Sequence, residues 1–354
     1  MGAGFWRFWL GLAAAAPVWG AAHTFPSPGL IRYDARCLTV EGLDVFVSSA
    51  VVNWSGLDRA AWRQRLAAIK AGGFNTVTIA ATDPADLSEW LHLAHEEFGF
   101  YTILQLPPGP PAAAVAAIAR EQATRRGKGP GGTILIQISD TSEIGSNYLR
   151  IVGSGIEVPL FGLGVPRLRD SDDPALGQIF DALSFAPSAP FGLRVAQLTA
   201  LESAQPDAPV LVDQTEPAAS PILELAEAVN AIEQGATILS FAWPDPAGPE
   251  AIRLNRMLAR SGPELARSHP LTIQAQTGSP DVTLVVRRAR NGATYLFLAN
   301  HSGALGKRGR ASLWLDRDGV EFGVDYALPP WTAKVMRLPP NSTDAEAMEQ
   351  LLGE

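Results

Sequence analysis

Cysteine is almost missing from this chain: among 354 residues Cys37 is the single one. No internal disulfide can form, so the fold has to be held by its core, which is feasible at this length. A buried, inert thiol is the state expected of Cys37. Basic clusters are missing too. The formal net charge of -8 is spread along the chain, which leaves no electrostatic footprint for nucleic acid. Beyond the N-terminus no apolar run is long enough for a membrane span. No GxGxxG follows the first predicted strand, and the RRGKGPGG at 125–132 lacks the GxxxxGK[ST] order of a phosphate-cradling loop. No serine sits in a GxSxG elbow. His92 and His95 with Glu96 lack the spacing of a zinc-protease helix and read as a solvated helix face. No cofactor and no metal site is expected.

What is present begins with an export pattern. In residues 1–22 Arg7 is the only charge, Phe8 to Trp19 is apolar and alanine-rich, and Gly20, Ala21 and Ala22 are small. This reads as a secretory signal peptide and a secreted or periplasmic protein, with an uncleaved membrane anchor as the alternative. A hairpin at Ile31 to Gly42 follows. Then Val45 to Val52 reads as a strand, and Leu57 to Ala71 as a helix with Leu57, Trp62, Leu66 and Ile69 at helical spacing and Gly72 and Gly73 as its stop.

The same unit recurs. Strands are predicted at 75–81, 100–106, 133–139, 157–161, 179–185, 209–212 and 237–241, with helices from about Asp83, Ala112, Asn147, Leu193, Pro221 and Pro249. Eight strands alternating with helices define the α/β class and a (β/α)8 TIM barrel over 23–265. From Leu271 the period becomes two, and Asn291 with Gly292 signals a hairpin. A small antiparallel β domain of sandwich type is expected over 266–340, followed by a polar tail at 341–354 read as a frayed helix.

Barrel active sites sit at the C-terminal ends of the strands. The stretch GGTILIQISDTSEIG at 131–145 runs from a buried strand directly into carboxylates. Candidate catalytic residues are therefore Asp140 and Glu143 after strand four, and Asp213 and Glu216 after strand seven. Retaining glycoside hydrolysis needs two carboxyl groups about 5 to 5.5 Å apart. Asp140 with Asp213 and Glu143 with Glu216 are two open pairings, and plain surface carboxylates are the competing reading. Asn53, Trp54, Gln214 and Trp243 are the candidate substrate-binding residues. Trp54 and Trp243 follow strands one and eight, where they would serve as platforms for sugar rings or as packing. Trp62, Trp90 and Trp314 are assigned to packing. Asn53, Asn300 and Asn341 each begin an N-x-S/T sequon.

Several stretches together resemble glycoside hydrolase family 35, the β-galactosidase family: IRYDARCLTVEG, AAWRQRLAAIKAGGFNTVTIA, DLSEWLHLAHEEFGFYTILQ, GGTILIQ and QPDAPVLV, with LPPWTAKVMRLP in the β domain. The resemblance implies a retaining mechanism, with a glutamate acid/base in an Asn-Glu pair after strand four and a glutamate nucleophile after strand seven. Aligned without a gap, Thr141 takes the acid/base position; with a two-residue insertion Glu143 takes it and Ser142 replaces the Asn. The nucleophile position falls near Gln214, between Asp213 and Glu216. The family's Trp-Asn and His-Glu-Pro loop after strand two has no counterpart. These departures imply a secreted, catalytically impaired protein acting on or binding a β-galactoside-like or envelope polysaccharide. An active retaining hydrolase with a rebuilt site, and a structural or protein-interaction role in the cell envelope, are the alternatives.

Overall fold

The computed structural model describes residues 31–34, 36–54, 56–81, 84–107, 112–125, 131–138, 160–162, 182–183, 209–214, 217–314, 321–340, 342 and 345–353. Three short antiparallel strands open it: β1 (Ile31–Tyr33), β2 (Leu38–Val40) and β3 (Leu43–Val45). The β2–β3 turn needs φ of 52° at Glu41 and 82° at Gly42, a region glycine reaches freely.

Strands and helices then alternate as β4 (Val47–Val52), α1 (Arg59–Ala71), β5 (Thr76–Ala80), α2 (Pro84–His92), β6 (Tyr101–Leu106), α3 (Ala112–Arg125) and β7 (Gly132–Ile138). After β8 (Leu160–Gly162) and β9 (Ala182–Leu183) come β10 (Val210–Gln214), α4 (Pro221–Glu233), β11 (Ala236–Phe241) and α5 (Pro249–Ala266). The expected signal peptide and the helices expected near Asn147 and Leu193 lie outside the described residues.

The eight strands from β4 to β11 form one sheet in the order β10-β11-β4-β5-β6-β7-β8-β9, and every neighbouring pair is parallel. This is the strand order of a (β/α)8 barrel, with no pairing between β9 and β10 among the described residues. The sheet curls, because hydroxyls on β5 and β11 meet over the strand between them: Ser240 Oγ lies 2.9 Å from Thr78 Oγ1.

Local chemistry explains the helices. Asp58 caps α1 by accepting from Ala61 N at 2.8 Å, and Trp62, Leu66 and Ile69 face the core. Ser220 caps α4 in the same way, with Pro221 at the first helical position. After α2 the helix widens into a π-turn over Leu93–Glu97. That turn carries His95 inward, against the expectation of a solvated face: the ring is buried, with Nδ1 2.5 Å from Glu121 Oε1 and Nε2 3.0 Å from Thr102 Oγ1.

The C-terminal domain has two antiparallel sheets. One contains β12 (His269–Pro270), β14 (Val282–Arg288), β15 (Thr294–Asn300), β18 (Ala333–Leu338) and β19 (Glu349–Leu352); the other contains β13 (Gln274–Gln276), β16 (Lys307–Trp314) and β17 (Glu321–Leu328). Val286, Leu296, Leu313, Phe322 and Met336 pack between them. Two elements differ from expectation. The EFGVDYAL run is a strand, β17, and the tail ends in the edge strand β19, because Leu352 buries its side chain there. The Asn291–Gly292 turn closes β14 onto β15, with Gly292 at φ 91°.

The β domain is bolted to the barrel by buried polar contacts. Arg287 on β14 donates to Ser268 Oγ at 2.8 Å, Ser268 O at 3.0 Å and Glu233 O at 3.2 Å. Arg337 on β18 donates to both oxygens of Glu264 on α5, at 3.0 Å each. Burial opposes ionisation of Glu264, but hydrogen bonds from Arg337, Tyr295 and Asn291 outweigh it and hold the carboxyl below the usual range.

Replacing Arg287 by Met leaves buried acceptors without their donors and is expected to lower stability by roughly 3 kcal/mol. Urea unfolding measures this, and a loss under about 1 kcal/mol would mean that water takes over the contacts. Cys37 is fully buried and burial pushes its thiol pKa far up. It should therefore resist maleimide in the native protein and react once the chain is unfolded.

Candidate functional site

The inward faces of the barrel strands carry a polar layer near their C-terminal ends. The pairings Asp213 with Ser240, Ser240 with Ser49 and Gln105 with Gln137 put these side chains on one face of the sheet. Ser49 Oγ lies 2.8 Å from Thr78 Oγ1. Across the interior, Gln105 Nε2 donates to Gln137 Oε1 at 3.2 Å and to Asp213 Oδ2 at 3.0 Å.

Among the described residues of the eight strands, Asp213 is the one carboxylic acid. It is 1% exposed. Burial pushes its pKa up to about 6, while Ser240, Gln105 and Gln137 pull it part of the way back. Ser240 and Gln137 lie beside it without completing a hydrogen bond to Oδ1: Asp213 Oδ1 and Gln137 Nε2 are both buried and have no hydrogen-bond partner among the described residues. An acceptor and a donor are thus left over side by side in the barrel interior. Such a carboxyl can exchange a proton near pH 6 or hold a hydroxyl group.

The other expected site residues fall differently. Asp140, Glu143 and Glu216 lie outside the described residues. Asn53 is exposed at the end of β4, where the mouth would receive a ligand. Trp54 is no open platform. It is 3% exposed, packs edge-on against Trp62 at 5.6 Å and tilted against Trp90 at 6.3 Å, and donates from Nε1 to Ala80 O at 2.7 Å. Trp243 is also buried; it packs edge-on against Phe74, a residue ahead of β5 and so at the opposite end of the strands from the mouth. Gln214 follows Asp213 by one residue and therefore points to the other side of β10. Its amide lies 3.3 Å from Glu224 Oε1 of α4. Of the sequons, Asn300 is buried and donates to Leu305 O, Leu328 O and Pro329 O, so no glycan is attached in this fold.

Sequence reasoning missed Gln105, Gln137, Ser49, Thr78 and Ser240. A signal for the two glutamines was there: each is the lone amide late in an apolar strand, TILQL and ILIQI.

Together the parallel eight-stranded sheet, its polar interior at the strand ends and the appended β domain define a fold of (β/α)8-barrel type with a C-terminal β domain. Comparison with solved structures says the same of the fold. The chain is similar to a family 27 β-L-arabinopyranosidase from Geobacillus stearothermophilus in complex with arabinose, with TM-score 0.55 and 9% identity over 84% of this chain and 98% of that one. It is similar to α-galactosidase I from Mortierella vinacea, with TM-score 0.53 and 8% identity over 85% and 98%. An endo-β-1,6-glucanase gives TM-score 0.50 and 8% identity over 83% and 92%. No family model matches the chain, and no curated protein matches it in sequence. Of these neighbours one is a family 27 enzyme, one an α-galactosidase and one an endo-glucanase, and none is named as a family 35 β-galactosidase, so the likeness reaches the barrel fold and stops short of the family expected from sequence.

The raised pKa of Asp213 has a sign for stability. The unfolded carboxyl loses its proton near pH 4 and the folded one near pH 6, so stability falls as pH rises through that window and is level above it. Asp213→Asn removes the penalty and should gain on the wild type by on the order of 3 kcal/mol between pH 4 and pH 7. Unfolding free energies across that range check it; a difference independent of pH would mean that Asp213 titrates normally.

Proposed function

We propose that this chain is a secreted, glycoside-hydrolase-like barrel protein that binds carbohydrate at the C-terminal mouth of its parallel sheet and is impaired in hydrolysis. The observation that carries this reading is the state of Asp213. It is the single carboxyl among the described strand residues, and it is buried beneath the mouth. A nucleophile has to touch the anomeric carbon, and a second carboxyl has to stand about 5 to 5.5 Å away. Asp213 is better built to steady the floor of a binding site through Gln105 and Gln137 than to attack a sugar. The ligand is a galactoside-like or envelope polysaccharide; the names of the structural neighbours, which are glycosidases, support that class. Export rests on the signal pattern of residues 1–22.

A second reading is favoured by one feature. A carboxyl whose pKa lies near 6 suits a general acid. An active hydrolase would pair Asp213 with a loop carboxyl from Asp140, Glu143 or Glu216.

A glycan array and a panel of aryl glycosides separate the two. Saturable oligosaccharide binding without turnover is expected, weakened about fivefold by Asn53→Ala, the worth of one hydrogen bond. Turnover of an aryl galactoside that disappears in Asp213→Asn would establish the second reading. A flat array with no turnover would overturn both and leave a structural or protein-partner role in the envelope. N-terminal sequencing of the exported protein should find a start near Ala21 or His23.

A further inference from the structure

Away from the barrel mouth, a groove of about 290 Å3 runs between the barrel helices and the β domain. Its walls are apolar, built by Ile222 and Leu225 of α4, Leu328 of β17 with Pro329 after it, and Leu352 of β19. Ile222 is 46% exposed there, high for a large aliphatic side chain. Clefts between domains are where small ligands are most often held.

Two features suggest that this groove has a ligand. The first is Trp331. Its backbone adopts φ 54°, a conformation that bulky residues rarely take. The surrounding turn holds it there: the Asn300 carboxamide donates to Leu328 O at 3.2 Å and Pro329 O at 2.9 Å, and Trp331 N donates to Ser302 O at 3.2 Å. Strain that the neighbourhood over-determines in this way is typical of functional positions. The second is Lys334 on β18. It is half-buried in the groove, and among the described residues its ammonium has neither an ion pair nor a hydrogen bond. Arg253 adds a second cation from α5, shared with Glu250 at 2.9 Å.

The walls decide what kind of anion fits. Ile222, Leu225, Leu328, Pro329 and Leu352 offer no side-chain partner for hydroxyl groups, so a polyhydroxylated sugar would lose hydration there without replacement. An aliphatic chain would gain by burial against the same surface. We propose that this groove binds a medium-chain aliphatic carboxylate, its chain against the apolar walls and Trp331 and its carboxylate on Lys334, with Arg253 as the second cation. The assignment is independent of the carbohydrate reading at the barrel mouth.

Titration calorimetry of the full chain with octanoate tests it. Saturable one-to-one binding is expected, about tenfold weaker in Lys334→Met, which keeps the stem and removes the charge. Neutral octanamide should bind the wild type about as weakly as octanoate binds that variant. Trp331→Gly relieves the positive φ while removing one wall, so it should fold and bind octanoate more weakly. Absence of saturable binding, or equal affinity in the wild type and Lys334→Met, would overturn the proposal. Glycan binding at the mouth should be the same in all three proteins, which keeps the two sites distinguishable.

Discussion

The hydrogen bond from Gln105 on β6 to Asp213 on β10 joins strands with three others between them along the sheet. At about 4.8 Å per strand, a flat sheet would hold β6 and β10 about 19 Å apart. A 3.0 Å contact between their side chains therefore requires the sheet to curl until its inner face closes on itself. The hydroxyls of Ser49, Thr78 and Ser240 make the same demand over a shorter arc. Everything at the candidate site follows from this curvature. It brings the one acidic group of the described strand residues among amides and hydroxyls, and it removes that group from water, which is why its pKa rises.

The rest of the molecule is arranged around a contrast between two kinds of buried charge. Asp213 and Glu233 have little compensation, and burial raises their pKa values to about 6 and about 8. Asp44 and Glu264 are met by arginines. The hydrogen bonds of Arg267, at 2.6 and 2.9 Å, hold Asp44 low, and Arg337 does the same for Glu264. The signs oppose each other. The arginine-bound pair stabilises above the normal carboxylate range and loses its effect as pH falls below it; the buried pair favours the protonated protein and becomes costly as pH rises. The arginine-bound carboxylates sit at junctions, Asp44 between the opening meander and the residue after α5, Glu264 between α5 and the β domain. Charge thus fastens modules together at the periphery, while inside the barrel and at the end of α4 it is tolerated at a cost.

Much of the fold was legible in residues. Trp62, Leu66 and Ile69 at helical spacing, the glycine stop after α1 and the apolar runs of β4 to β7 announced βα units, because burial of one helix face and both sheet faces leaves a periodic trace. The change of period after Leu271 announced the β domain for the same reason. The tail was misread because a strand of four residues at a sheet edge, ending in one buried Leu352, has too short a period to stand out from polar sequence.

The sequence by itself determined that strands and helices alternate and that Asp213 comes directly after a buried strand. Those are statements about order along the chain. Only the tertiary structure decided which side chains share the interior. Trp54 and Trp243 end strands as expected, yet packing against Trp62, Trp90 and Phe74 turns both into core, since past the last paired residue nothing in the sequence sets the direction of a side chain. Gln214 lies one residue from Asp213 and faces away from it. Gln105 and Gln137, far apart in sequence from Asp213, meet it because a parallel sheet of this order curls.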